Sequence, residues 1–257
     1  MAQEIIKNIC QASCVDFESL SIESISKNII YVQRLNWDYL NCLAFQEACV
    51  DYVYQNPEVS ILIGTNHPHC LTLGRGLQKK VGDETSLVDF SDAHKSRVQI
   101  PIYEIKRGGG ITFHYPGQVI IYPIINLTRH QIKVYGLMNR LMQLITETLT
   151  ECYGAKDYDY CRDLLGLWVK NNKIASIGLQ VRRFVTFHGI ALNFSPDSLI
   201  DNTLKVIYPC GLPGTVYQSL EELYLSNQKL LIKDLFNSLK NKWHLIFEND
   251  QQISCQK

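Results

Sequence analysis

An α+β domain, with a mixed β-sheet and helices packed mainly on one side of it, is what this sequence predicts. Three observations lead there. Short apolar runs bounded by glycine, proline or asparagine occupy the middle of the chain. A long amphipathic stretch, Val134 to Cys152, stands among them. A second stretch with one apolar face closes the chain around Trp243.

Residues 1 to about 30 are polar and serine-bearing with weak periodicity, and read as an N-terminal extension (1–30) to a main domain (31–250). From Trp37, the residues Leu40, Leu43, Ala44, Ala48 and Tyr52 fall at helical spacing, and Asn56-Pro57 stops that helix. Val59 to Gly64 reads as a buried strand, and the charged, irregular run Leu77 to His94 as a surface loop. Val98 to Ile105 and Val119 to Ile125 read as strands with a glycine-rich segment between them. Val134, Leu137, Met138, Leu141, Ile145, Thr148, Leu149 and Cys152 mark the strongest helix. Gly166 to Lys170 and Lys173 to Leu179 form a hairpin around Asn171-Asn172, since asparagine tolerates the positive φ of a tight turn. Phe184 to Phe194 alternates as a further strand, and Leu230 to Trp243 closes the fold as a helix.

Composition excludes several function classes. The 257 residues are 46% hydrophobic with zero formal net charge, so nothing pulls the chain as a whole toward nucleic acid or a membrane. No apolar run approaches the ~20 residues that cross a bilayer. The first residues, Met-Ala-Gln-Glu-Ile-Ile-Lys, lack the pattern of a secretory signal, so a cytoplasmic location is expected. Nine cysteines without a Cys-x-x-Cys pair read as reduced thiols. His67-Pro68-His69-Cys70 crowds its ligands on too short a segment to converge on one tetrahedral ion, so no metal is expected.

The chemistry lies in three segments. Arg107-Gly108-Gly109-Gly110 lets the backbone approach a ligand closely, or simply turns a hairpin. It matches neither the phosphate loop nor the dinucleotide fingerprint. His114 and His188 each sit at a strand end, where a histidine either completes a hydrogen-bond network or works in a site. Lys173 begins a strand whose next residues, Ile174 and Ala175, are apolar, and most lysines beside hairpin turns are simply solvated. Cys210, in Tyr-Pro-Cys-Gly-Leu-Pro-Gly, stands in a loop that cannot continue a helix. Cysteine is often a small buried hydrophobe, but a loop thiol with a lysine and histidines available reads as an activated nucleophile. A free thiol is only a few per cent thiolate at neutral pH, and a nearby ammonium raises that fraction.

In collinear order from Val32 to Leu225 these segments resemble the lipoyl(octanoyl) transferases, also called lipoate-protein ligase B. The resemblance rests on His67-Pro68 through Thr72-Leu73-Gly74-Arg75, and on Arg107-Gly108-Gly109 to Thr112-Phe113-His114 with Pro116-Gly117-Gln118. It continues in Lys173-Ile174-Ala175-Ser176-Ile177-Gly178 with Phe187-His188-Gly189, and in Pro209-Cys210-Gly211. It implies a biotin/lipoate ligase-like catalytic domain in which Cys210 and Lys173 are the catalytic pair and His188 supports them. An acyl pocket would be lined by Arg107, Gly108, Gly109, Gly110, Ile111, Thr112, Phe113 and His114, by Ser176, Ile177 and Gly178, and by Gly189, Ile190 and Ala191. The implied donor is octanoyl-acyl carrier protein. The implied acceptors are lipoyl domains of 2-oxoacid dehydrogenases and the glycine cleavage H protein, and no cofactor is required. Backbone N–H groups near Ser176 to Gly178 or Gly211 are candidates for holding the oxyanion, and Arg75, Lys79, Lys80, Lys106, Lys170, Arg182 and Arg183 for meeting an acidic carrier. Tyr115 stands where the family usually has glycine, and Gly110 where it commonly has a polar residue, which bears on acyl chain length. Two other readings stay open: an ATP-dependent lipoate ligase on the same fold, and a non-catalytic module binding carrier or lipoyl domains.

Overall fold

The computed structural model describes residues 1–81, 84–87, 98–154, 158–161, 165–199, 216–224 and 231–247. Its main sheet has eight strands in the order β1-β2-β3-β9-β13-β12-β11-β10. These are β1 (Ser21–Ser26), β2 (Ile29–Arg34), β3 (Ser60–Thr65), β9 (Gln118–Ile124), β10 (Asp159–Cys161), β11 (Gly166–Val169), β12 (Asn172–Arg182) and β13 (Val185–Asn193). β2 and β3 pair in parallel and the other neighbours antiparallel, so the sheet is mixed. A second sheet, β7-β4-β8, is built from β4 (Cys70–Leu73), β7 (Ile102–Glu104) and β8 (Ile111–His114).

Side-chain alternation along the central strands divides the core in two. Ile61 and Ile63 of β3 and Ile120, Tyr122 and Ile124 of β9 face a cluster that includes Phe45, Cys49 and Val53. That cluster belongs to α1 (Ala2–Ser13) and α2 (Tyr39–Gln55). Leu62, Val119 and Ile121 face the opposite way, onto α3 (Val134–Tyr153). A four-residue helix, α4 (Leu220–Leu223), then α5 (Ile232–Asn241) and α6 (His244–Phe247), complete that side. The α+β class and the mixed sheet are as expected. The helices, expected mainly on one side, cover both faces, because the central strands are apolar on both.

Local chemistry accounts for the element ends. The Asp38 carboxylate accepts from the Asn41 N–H (3.0 Å) and caps α2. Gly154 adopts φ 65° and its N–H donates to the Thr150 carbonyl, closing α3. The hairpin between β11 and β12 turns through Lys170 and Asn171, at φ 48° and 66°. β7 is shorter than the expected Val98–Ile105 run, starting after Pro101. Within Leu77 to His94, β5 (Gln78–Val81) and β6 (Glu84–Leu87) pair as a small hairpin. The sequence between them, Gly82-Asp83, is a two-residue turn signal that the charge of the segment obscured.

Residues 1 to 30 carry more structure than their weak periodicity suggests. α1 buries Ile6, Ile9 and Cys10 against α2, and β1 extends the main sheet. Replacing Ile9 with alanine is expected to cost about 2–4 kcal/mol through the lost transfer energy and the cavity left behind. A thermal melt checks this, and an unchanged melting temperature would show that α1 is only a loosely attached appendage.

Candidate functional site

The glycine run is held by backbone hydrogen bonds on both sides. The N–H groups of Gly74, Arg75 and Gly76 donate to the carbonyls of Gly110, Arg107 and Gly109 at 2.9–3.0 Å. The Gly108 N–H donates to the Leu179 carbonyl of β12 at 3.0 Å. Gly109 has φ 78°, and a Cβ on Gly178 would stand 2.7 Å from the Gly108 carbonyl oxygen. Glycine is therefore required here for close packing of two backbones.

Arg107 is 6% exposed, and its guanidinium lies inside this junction. Nη2 donates to the Thr72 carbonyl (3.0 Å), the Thr72 hydroxyl (2.8 Å) and the Thr112 hydroxyl (2.8 Å), and Nη1 to the Gly108 carbonyl (2.9 Å).

β8 alternates beside it. Ile111 and Phe113 turn to a small apolar cluster with Leu71, Leu73 and Tyr115, while Thr112 and His114 face a cavity. That cavity is lined by Arg107, Thr112, His114, Ser176, Gly178, His188, Gly189, Ile190 and Ala191, with Tyr39 and Tyr122. The structure thus brings together nine residues singled out from the sequence, drawn from three separate segments. Gly108, Gly109, Gly110, Ile111, Phe113 and Ile177 are not among its lining residues. The first three frame it through their backbone, and the apolar three face packed clusters. The Ile177 N–H donates to the Leu165 carbonyl (3.0 Å), which removes it as an oxyanion donor.

Neutral polar rings adjoin the cavity, and of these Tyr39, His114, Tyr122 and His188 line it. His67 Nδ1 bonds the Trp37 carbonyl at 2.7 Å, so that nitrogen carries the proton, and the Tyr122 hydroxyl donates to Nε2 at 2.9 Å. His114 Nδ1 donates to Gln118 Oε1 (3.0 Å), and Gln118 Nε2 donates to the Phe113 carbonyl and to Asn193 Oδ1. Tyr39 stacks on both Tyr103 and His114. Burial is the main cause that lowers the pKa of all three histidines, His67 to about 4, His188 to about 3 and His114 well below 6.5. The Arg107 charge lowers His114 and His188 further.

His69, beside His67 in sequence, turns to Asp197 (2.9 Å) instead, so the two rings serve different partners. Tyr115 is fully buried away from the cavity and donates its hydroxyl to the Ser195 carbonyl (2.9 Å). Its bulk meets Gly117, where a Cβ would lie 2.6 Å from the Tyr115 ring. Of the cationic candidates, Arg75, Lys106 and Lys170 are exposed, whereas Arg182 and Arg183 lie 3.1 and 3.7 Å from Asp51. The side chains of Lys79 and Lys80 lie outside the described residues.

Lys173 is 3% exposed on β12, opposite Trp168 of β11. Its Nζ stands 5.9 Å from the Trp168 ring centroid and 5.8 Å from that of Tyr217. Gly166 makes the room, since a Cβ there would lie 2.4 Å from Lys173 Cε. Lys173 is thus a buried lysine rather than a solvated one. Cys210, with Pro209 and Gly211, lies outside the described residues. The described chain resumes at Val216, and Tyr217 bridges to Lys173 through the backbone.

A family model for the lipoyl protein ligase A/B catalytic domain matches residues 38–242. The chain belongs to that family. Among relatives of this lipoyl ligase A/B member, an octanoyltransferase of Synechococcus elongatus is 34% identical over 186 residues, covering 72% of this chain and 74% of that protein. An octanoyltransferase of the Wolbachia of Brugia malayi is 32% identical over 228 residues, 85% of this chain and 98% of that protein. A lipoate-protein ligase A crystallised with ATP superposes with a TM-score of 0.57 at 12% identity, covering 84% of this chain and 83% of that one, a likeness of fold alone. Among the described residues of the lipoyl ligase A/B fold here, no helix is long and apolar enough to cross a membrane.

Reading the sequence of this family member residue by residue misses Tyr39 and Tyr122 in the site. Tyr39 opens α2 and Tyr122 sits inside an apolar strand, and neither carries a local signal of function. Thr72 and Gln118 stand within quoted motifs, but their bonds to Arg107 and His114 come only from the fold.

The neutral histidines make stability depend on pH with a definite sign. An unfolded histidine takes a proton near 6.5, whereas each of these rings resists one until its lower folded value. The unfolded state therefore binds more protons as pH falls, so this stability is complete above the unfolded pKa and is lost below it. For His67 the window runs from 6.5 down to about 4. The melting temperature is expected to hold above about pH 7 and fall steeply through about pH 6 to 5. His67→Asn should flatten that fall, and a slope unchanged by the substitution would contradict the assignment.

Proposed function

We propose that the protein transfers an octanoyl (or lipoyl) group from acyl carrier protein, through a thioester on Cys210, to the ε-amine of a lysine on lipoyl domains. The observation that carries this reading is the convergence on one cavity of Arg107, His114, Ser176, Gly178 and Gly189 to Ala191, with Lys173 buried on the strand that supplies Ser176 and Gly178. Relatives named octanoyltransferases, similar over more than two thirds of the chain, support it.

In the first step the Cys210 thiolate attacks the thioester carbonyl of the donor. The tetrahedral intermediate collapses to an octanoyl thioester on Cys210, and the carrier leaves as a thiolate that takes the proton of the Lys173 ammonium, leaving that amine neutral. In the second step the acceptor amine attacks that thioester, an amide bond forms, and the Cys210 thiolate departs. The amine must lose a proton, and Lys173 in its neutral form accepts it. As an ammonium, Lys173 favours the thiolate that begins the cycle. Thioester exchange is close to isoenergetic and thioester to amide runs downhill, so the reaction needs no nucleotide. Exposed Arg75, Lys106 and Lys170 remain the candidates to meet an acidic carrier.

Intact-mass measurement after incubation with octanoyl-carrier tests the first step. One octanoyl adduct is expected on the native chain and none on Cys210→Ala. An adduct that persists in the variant, or transfer that requires ATP and releases pyrophosphate, would overturn the proposal. Lys173→Met should keep the fold and lower kcat by roughly 10²-fold or more, and native turnover in that variant would remove Lys173 from the mechanism.

A further inference from the structure

His188 is a buried non-glycine residue with φ 58° inside β13. A left-handed residue in the middle of a strand is costly, and it needs surroundings that hold it there. Such a residue turns its N–H out of the regular ladder direction. That N–H donates instead to the side chain of Gln46 on α2, with Oε1 at 2.8 Å. Gln46 is fully buried (0% exposed), and its other end makes only a long contact to Cys42 Sγ (3.8 Å). The bond to His188 is therefore the polar interaction that justifies a glutamine among Cys42, Phe45, Cys49 and Val50.

The residues after the twist form the cavity wall. His188, Gly189, Ile190 and Ala191 all line it. Gly189 is pressed against β9 so closely that a Cβ would lie 2.0 Å from the Ile121 carbonyl oxygen. With β9 fixed on one side and Gln46 holding the His188 amide on the other, the wall has a single path. Without the acceptor, the buried N–H loses its partner and the left-handed turn loses its support. We propose that Gln46 is a positioning residue for the acyl group: it holds the twist at His188 and so sets the wall that contacts the acyl chain. This rests on the transferase reading above.

A wall that contacts the acyl chain equally in the bound and transition states affects KM rather than kcat. Gln46→Met removes the acceptor at similar bulk, and Gln46→Asn withdraws it by one methylene. In steady-state transfer from octanoyl-carrier by the full chain, both are expected to raise donor KM roughly tenfold with kcat within about twofold. Gln46→Glu, which keeps an oxygen at the same reach, should return KM to within about threefold of native. A role in stability alone would lower kcat through loss of active protein and leave KM alone, and that result overturns the proposal, as does native KM in Gln46→Asn. If Gln46→Met does not fold, Gln46→Asn carries the test. Amide hydrogen exchange at His188, slow in the native chain and faster by about tenfold or more in Gln46→Asn, reads the backbone itself, and unchanged exchange overturns the proposal as well. Should the native chain neither take up octanoyl nor transfer it, the transferase reading fails, while the exchange result still decides whether Gln46 holds His188.

Discussion

The site depends on where the Arg107 guanidinium is buried. Four of its hydrogen bonds reach the small sheet through Thr72 and Thr112 and the glycine run through Gly108, which is itself bonded to β12 of the main sheet. One side chain thereby ties both sheets to the segment between them. A buried cation is tolerated when its donors are met with good geometry, and here the matching oxygens come from two strands and a turn. Glycine at positions 74, 76 and 178 follows from the same packing, because a Cβ there would stand 2.4–2.8 Å from carbonyl oxygens of the glycine run, while Gly109 needs glycine for its φ of 78°.

Burial keeps the neighbouring rings neutral, and the Arg107 charge adds to it. His114 and His188 feel both burial and Arg107, and each effect opposes a second positive charge. Neutral rings can both donate and accept, and the His67–Tyr122 and His114–Gln118 pairs use that ability fully. The result is a polar cavity end with its hydrogen bonds mostly turned inward.

Legibility in the sequence followed periodicity and glycine. The helix over Val134–Tyr153 and the β11–β12 hairpin stand out because their apolar spacing or turn residues are local properties. The N-terminal part does not. The buried stripe of α1 is only Ile6, Ile9 and Cys10, and β1, at the sheet edge, keeps most side chains exposed or half-buried. Helices on both faces could have been inferred from the unbroken apolar run in β9, which has no polar side to leave in water. In the site, Arg107, His114, Ser176 and Gly189 were legible because they lie in marked segments. Gln46 was not: its partner His188 is 142 residues away, and a glutamine within an amphipathic helix carries no mark of burial.

Lys173 shows how the same fold gives one residue a setting that its local sequence conceals. Read in sequence it begins a strand after an Asn-Asn turn, where lysines are normally solvated. In the structure, Gly166 opens space beneath its chain, and Trp168 and Tyr217 place ring faces near its Nζ. Burial disfavours an ammonium while ring faces favour it. In the proposed reaction a permanently charged residue would stabilise the thiolate yet could not take the proton from the incoming amine. A permanently neutral one would do the reverse. An arginine there, which keeps its proton in any such setting, could serve only the first of those demands.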